Sequence, residues 1–161
     1  MADLATTAAD SLARRSESAG EQLSEFLAFL LAGDAYGVGL TRIREILSPP
    51  PLTPVPRAPR EVLGVCSVRG LLVTVIDLRR RLGLEETDRN RRARILLAAT
   101  DSGEVVGLLV DEVKQVVRLP ASAIEVASTV LGGDVSEHVM GIARPGGELI
   151  ILLDLTSIVG R

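Results

Sequence analysis

Aliphatic side chains fall in short runs closed by glycine, aspartate or proline, and the clearest is Leu71-Leu72-Val73-Thr74-Val75-Ile76. Five of its six residues are aliphatic, and Gly70 and Asp77 bound it. Such a run reads as a buried strand. Arg69-Gly70 separates it from a second apolar run, Val65 to Val68. A glycine between two such runs predicts a hairpin. Upstream, Phe26 to Leu31 and Tyr36 to Leu40 flank Gly33-Asp34 and predict another. Ile43, Ile46 and Leu47 stand at i, i+3 and i+4, which suits a helical turn as well as a strand. A tight turn running into a strand is expected there.

Both patterns recur. The segment Gly64 to Asp77 aligns without a gap to Gly141 to Asp154, 77 positions later, with Gly70 on Gly147 and Gly83 on Gly160. The segment from Phe26 to Leu47 aligns with Leu96 to Val117 at an offset of 70, placing Gly37 on Gly107 and Ile43 on Val113. Two segments repeated in the same order make the chain an internal duplication. Two copies are too few for a solenoid, so two similar small β units are expected to pack on each other. The connections differ. Residues 48–60 hold six of the eight prolines and must run extended. Pro59 to Gly64 suggests one helical turn, and Ser136 to Gly141 a matching one capped by Ser136. Asp77 and Asp154 each end a strand run and precede a leucine, as N-caps of short helices do; Gly83 and Gly160 mark the stops. Residues 1–22 are poor in large apolar groups and read as a flexible tail. The expected organisation is therefore a tail, 1–22, and a domain, 23–161. The domain divides into a first subdomain at about 23–84 and a second at about 93–161, with strand exchange open between them.

Composition narrows the chemistry. Hydrophobic residues make up 47% of the 161, whereas aromatics make up 2%, so the core is aliphatic and β-rich. A net charge of −3 offers nucleic acid or acidic membranes no bulk attraction. Cys66 is the one cysteine, which rules out an internal disulfide. No stretch reaches the ~20 apolar residues that span a bilayer, and Asp3 and Asp10 do not suit a signal peptide. A cytoplasmic protein is expected. His138 is the only histidine and has no cysteine at metal-ligand spacing. Gly37-Val38-Gly39 lacks the third glycine of a dinucleotide loop. Asp77 and Asp154 read as caps rather than a catalytic pair. No catalytic, metal or cofactor site is expected. An arginine cluster, Arg79, Arg80, Arg81, Arg89, Arg91, Arg92 and Arg94, offers an alternative: a small nucleic-acid-binding β-barrel protein. Against it, Asp77, Glu85, Glu86 and Asp88 interleave, and no aromatic lies nearby for stacking.

The order of these segments resembles the CheW-like family. Phe26 to Leu31, Tyr36-Gly37-Val38 and Ile43-x-Glu45-Ile46 match its start. Val62-Leu63-Gly64-Val65, Val68-Arg69-Gly70 and Val73-x-x-Ile76-Asp77-Leu78-Arg79 match its most diagnostic stretch. Val106-Gly107, Val110-Asp111-x-Val113, Gly141-Ile142 and Ile150-Ile151 complete it. The likeness covers about residues 25 to 160. It departs where Ser67 stands for the family's usual asparagine, at Thr74 in place of proline, and in the proline-rich run 48–56. The resemblance implies two pseudo-symmetric five-stranded SH3-like β-barrels. It also implies a non-enzymatic chemotaxis adaptor, a scaffold for signal transduction at cytoplasmic receptor–kinase arrays. The implied partners are the regulatory domain of a CheA-type histidine kinase and the cytoplasmic tips of chemoreceptors, with no membrane insertion of its own. Carried onto matching positions, it marks Ile43, Glu45, Gly64 and Arg69 as partner-binding. Arg69 faces Gly146 in the second copy and Glu45 faces Gln115, so the repeated frame does not itself require this charge pair.

Overall fold

The computed structural model describes residues 22–86, 91–126 and 137–159. The predicted tail up to residue 21, residues 87–90 of the linker, the Ser136 cap and the Gly160 stop lie outside them. Ten strands follow in order: β1 (Leu23–Leu31), β2 (Asp34–Gly39), β3 (Ile43–Leu47), β4 (Val62–Val68), β5 (Leu71–Asp77), β6 (Arg94–Ala99), β7 (Val105–Val110), β8 (Glu112–Pro120), β9 (Val139–Ala143) and β10 (Ile150–Leu153). Among the described residues two short helices, α1 (Leu78–Arg81) and α2 (Leu155–Val159), follow β5 and β10.

The strands form two five-stranded sheets, β8-β1-β2-β10-β9 and β3-β6-β7-β5-β4. Replacing each strand by its repeat converts one order into the other, so the mainly β, pseudo-symmetric architecture follows the duplication. The exchange between halves is larger than one strand. The β1–β2 hairpin of the first half sits among β8, β9 and β10 of the second, and β6–β7 sits among β3, β4 and β5. Neither sheet closes fully, because β3 and β4, and β8 and β9, remain outer strands.

Burial on both faces explains the continuous aliphatic runs of the central strands, except that Leu71 and Leu72, expected to be buried, are exposed because they lie at the hairpin end of β5. Leu27, Phe29 and Leu31 of β1 join Leu96, Ala98 and Leu108 in one core between the sheets. The alternate residues Phe26 and Ala28 join Ile150 and Leu152 on the far face of their sheet. Cys66, Val73, Val75, Ile95 and Leu97 do the same for the other. The predicted caps form: the Asp77 carboxylate accepts from Arg79 N at 3.0 Å, and that of Asp154 accepts from Thr156 N at 3.1 Å. The predicted helical turn at Pro59 is a single reverse turn, Val62 N to Pro59 O at 3.0 Å, after which β4 begins. Gly64 and Gly141 therefore lie within strands. The reason is that their glycine backbones serve a close crossing, described next, rather than a helix end.

The candidate partner-binding surface

The β4–β5 hairpin has a two-residue loop, since Val68 pairs with Leu71. With both central residues at positive φ the loop is of the I′ kind, whose backbone matches the strand twist. Gly70 has φ +84°, which suits glycine, but Arg69 has φ +50°, a region a side chain disfavours. The second half has positive φ at the matching pair, Gly146 (+68°) and Gly147 (+92°), and fills both places with glycine. Arginine is thus not there for the turn.

The Arg69 side chain reaches across the open seam from β4–β5 to β3. Its Nε and Nη2 donate to the two Glu45 carboxylate oxygens at 3.0 and 2.6 Å. This bidentate geometry is the strong form of the arginine–carboxylate contact. Hydrogen bonding to Arg69 holds the Glu45 carboxyl below its ordinary range, and Glu45 raises the Arg69 guanidinium above its own. Both groups face solvent, so the pair adds little to stability. Exposed Leu71 and Leu72 stand beside it, at 62% and 75% exposure.

The other two predicted residues do not join this pair. Ile43 packs against the core between the sheets. Glu45 is registered with Leu97, whose side chain belongs to the opposite face of the sheet. Gly64 lies beneath the proline-rich connection. A β-carbon on it would stand 2.5 Å from the Thr53 carbonyl oxygen, and one on Gly141 would stand 2.8 Å from that of Glu125. Thr53 bridges Val65 through N–H···O bonds of 2.9 and 2.8 Å, and Glu125 bridges Ile142 with two of 2.8 Å. Each half thus covers its outer strand with its own connection, and a glycine makes room.

Sequence reasoning missed the two places where the chain crosses between sheets. At the first, Asp111 lies between β7 and β8. Its oxygens stand 2.8 and 3.1 Å from Arg79 Nε, and one accepts from Ala32 N at 2.8 Å. At the second, Arg42 donates to Asp101 Oδ1 at 2.5 Å and to the Ala99 carbonyl at 3.2 Å. The two sites are not aligned residue for residue, since at the offset of 70 Asp111 falls on Thr41 and Arg42 on Glu112; the hairpin tip gives the first a backbone N–H, from Ala32, and the second a carboxylate, from Asp101. A charged residue at the end of each duplicated apolar run was the available signal.

The arginine cluster is largely engaged within the molecule. Arg80 bonds Glu86 and the Arg60 carbonyl. Arg81 donates to Glu61 and to the Ile158 and Ser157 carbonyls at the end of α2. Arg94 donates to two backbone carbonyls, and Arg92 stands 3.8 Å from Glu112. Nothing here favours the nucleic-acid alternative. His138 is buried, with Nδ1 2.6 Å from Ser157 Oγ. Among the described residues no three His, Cys, Asp or Glu side chains gather as a metal site, and no helix is long and apolar enough to cross a membrane. A concavity of about 800 Å³ opens at one end of the first sheet, walled by Leu23, Glu25, Arg118 and Met140 among others. None of the four predicted residues lines it.

The profile of the CheW-like domain matches residues 25–161. Chemotaxis protein CheW of Rhizobium meliloti is 31% identical over 134 residues, covering 83% of this chain and 86% of that protein. Protein FrzA of Myxococcus xanthus is 33% identical over 138 residues, 84% of each. The crystal structure of the scaffolding protein TtCheW from Thermoanaerobacter tengcongensis superposes with a TM-score of 0.80 at 27% identity, covering 87% of this chain and 94% of that one. With the repeated frame, the exchanged hairpins and this match over nearly the whole domain, the chain belongs to the CheW-like family of chemotaxis coupling adaptors.

Proposed function

We propose that this chain is a non-enzymatic adaptor that joins the cytoplasmic tips of chemoreceptors to the regulatory domain of a CheA-type histidine kinase, in the cytoplasm at receptor–kinase arrays. It needs no cofactor. The β4–β5 hairpin with Arg69 and Glu45 is its partner-binding element in the first half. Ile43 supports β3 from the core beneath, and Gly64 seats the connection beside it. The observation that carries this is Arg69 itself: a bidentate, solvent-facing arginine held at φ +50°, where the repeat uses glycine. Strain kept at an exposed position points to a use outside the fold.

Arg69→Gly isolates that use, because glycine suits the turn and only the guanidinium is lost. Co-sedimentation with a receptor signalling tip, with and without the kinase regulatory domain, is the measurement. Wild type binds both partners, and a folded Arg69→Gly variant weakens at least one of them roughly tenfold or more, as interface arginines do. Wild-type affinity for both would remove the hairpin from the binding surface. Failure of the wild-type chain to bind either partner would overturn the adaptor reading.

A further inference from the structure

The connection between β3 and β4 carries Pro49, Pro50, Pro51, Pro54, Pro56 and Pro59. Proline fixes φ near −65°, and the residue before each proline is held out of the helical region, so this segment runs extended. Two anchors fasten it to β4. Leu52 packs with the cluster around Cys66 and Val73, and Thr53 makes both backbone hydrogen bonds of its bridge to Val65. Pro51 and Pro54, on either side of the Leu52–Thr53 anchor, are both exposed, as are Val55, Pro56 and Arg57.

Covering the strand edge does not require these prolines. The second half covers β9 with Glu125 and has no proline between Pro120 and Pro145. Arg57 adds a second feature. It sits at φ +65° in the turn closed by Ala58 N to Val55 O, a position that favours glycine, and it makes no ion pair among the described residues. The segment therefore offers two exposed prolines, Pro51 and Pro54, with Pro50 half-buried behind the first, followed by an open cation. Any aromatic surface for them must come from a partner, since Phe26, Phe29 and Tyr36 are all buried.

We propose that Pro50-Pro51-Leu52-Thr53-Pro54-Val55-Pro56-Arg57 is a preformed ligand for a partner domain with an aromatic-walled, proline-accepting groove and carboxylates at one end to take Arg57. Anchoring at Leu52 and Thr53 removes most of the ordering cost that a free proline-rich peptide would meet on binding. This surface is separate from Arg69 and does not depend on the partners assigned to that hairpin.

The chain contains no tryptophan, so groove tryptophan fluorescence in a partner reports binding without background. The probe is a purified SH3 domain with a tryptophan in its proline groove and an acidic specificity pocket, titrated with the full chain. A saturable emission shift is expected. Affinity falls at least tenfold in Pro51→Ala/Pro54→Ala, which keeps Thr53 and its bridge, and several-fold in Arg57→Glu. No emission change up to about 1 mM chain, or wild-type affinity in the double variant, overturns the proposal. Should the double variant melt early, Arg57→Glu at its exposed turn decides alone, and unchanged affinity there overturns the proposal.

Discussion

Asp111→Ala removes the brace at the crossing from β7 to β8. Three contacts go at once: Arg79 Nε at 2.8 and 3.1 Å, and the Ala32 N–H at 2.8 Å. Arg79 is 4% exposed and cannot shed its charge, so the variant leaves a buried cation without this carboxylate. Breaking a buried ion pair from one side costs about 3–5 kcal/mol. The lower end applies, because the Asp111 side chain is 14% exposed and water can reach the gap. At about 2–4 °C per kcal/mol for a domain of this size, a loss near 3 kcal/mol lowers Tm by roughly 6–12 °C. Arg79→Met/Asp111→Val removes both charges at similar volume and should recover part of the loss, since an apolar pair can replace a buried ion pair at little cost while the Ala32 N–H turns to water. Thermal and urea unfolding of the three proteins, each followed by two probes, give the comparison. An Asp111→Ala protein that melts within about 2 °C of wild type, or a double variant no more stable than the single one, would refute the brace.

Gly64→Ala puts a β-carbon 2.5 Å from the Thr53 carbonyl oxygen and forces the connection off β4; urea unfolding should show a loss of about 2–4 kcal/mol from overpacking and the broken bridge. Glu45 should titrate below ordinary carboxylates in NMR, and Arg69→Gly should return its midpoint upward, because Arg69 is the main cause of the depression. Since the folded value is the lower one, the pair's contribution is present above the unfolded carboxylate range and is lost as pH falls through the folded value. Cys66 is buried, and burial pushes its thiol up, so a thiol reagent should modify it only as the protein unfolds. Rapid labelling of the native protein would contradict that packing.

The strands and hairpins were legible because their signals are local: aliphatic runs, glycines at turns, aspartates at caps. The duplication was legible from spacing alone. Which hairpin joins which sheet was not. Leu40, Thr41 and Arg42 form a single 3-10 turn between β2 and β3, and Asp111 alone separates β7 from β8. Nothing in so short a link declares that the chain leaves one sheet for the other; the pairing is decided by side chains far along the sequence. The Arg69–Glu45 contact could be suspected because both charges are absent from the repeat. Gly64 was harder to read, since the carbonyl it accommodates belongs to Thr53, eleven positions upstream in a connection with no aligned repeat.

The duplication also separates what the fold needs from what it carries. Where the halves differ but each retains a polar contact, as at Asp111 and Arg42, the difference is neutral, because both crossings are held. Where one half keeps an expensive residue and the other fills the same backbone with glycine, the fold gives no reason for the expense. Arg69 against Gly146 is such a case, and the prolines over β4 against the proline-free cover of β9 are another. Both lie on the β3–β4–β5 portion of one sheet. An adaptor that holds two unlike partners needs two unlike faces. A pseudo-symmetric scaffold gains them by keeping shared core positions fixed while one copy acquires exposed, strained or rigid features that the other lacks.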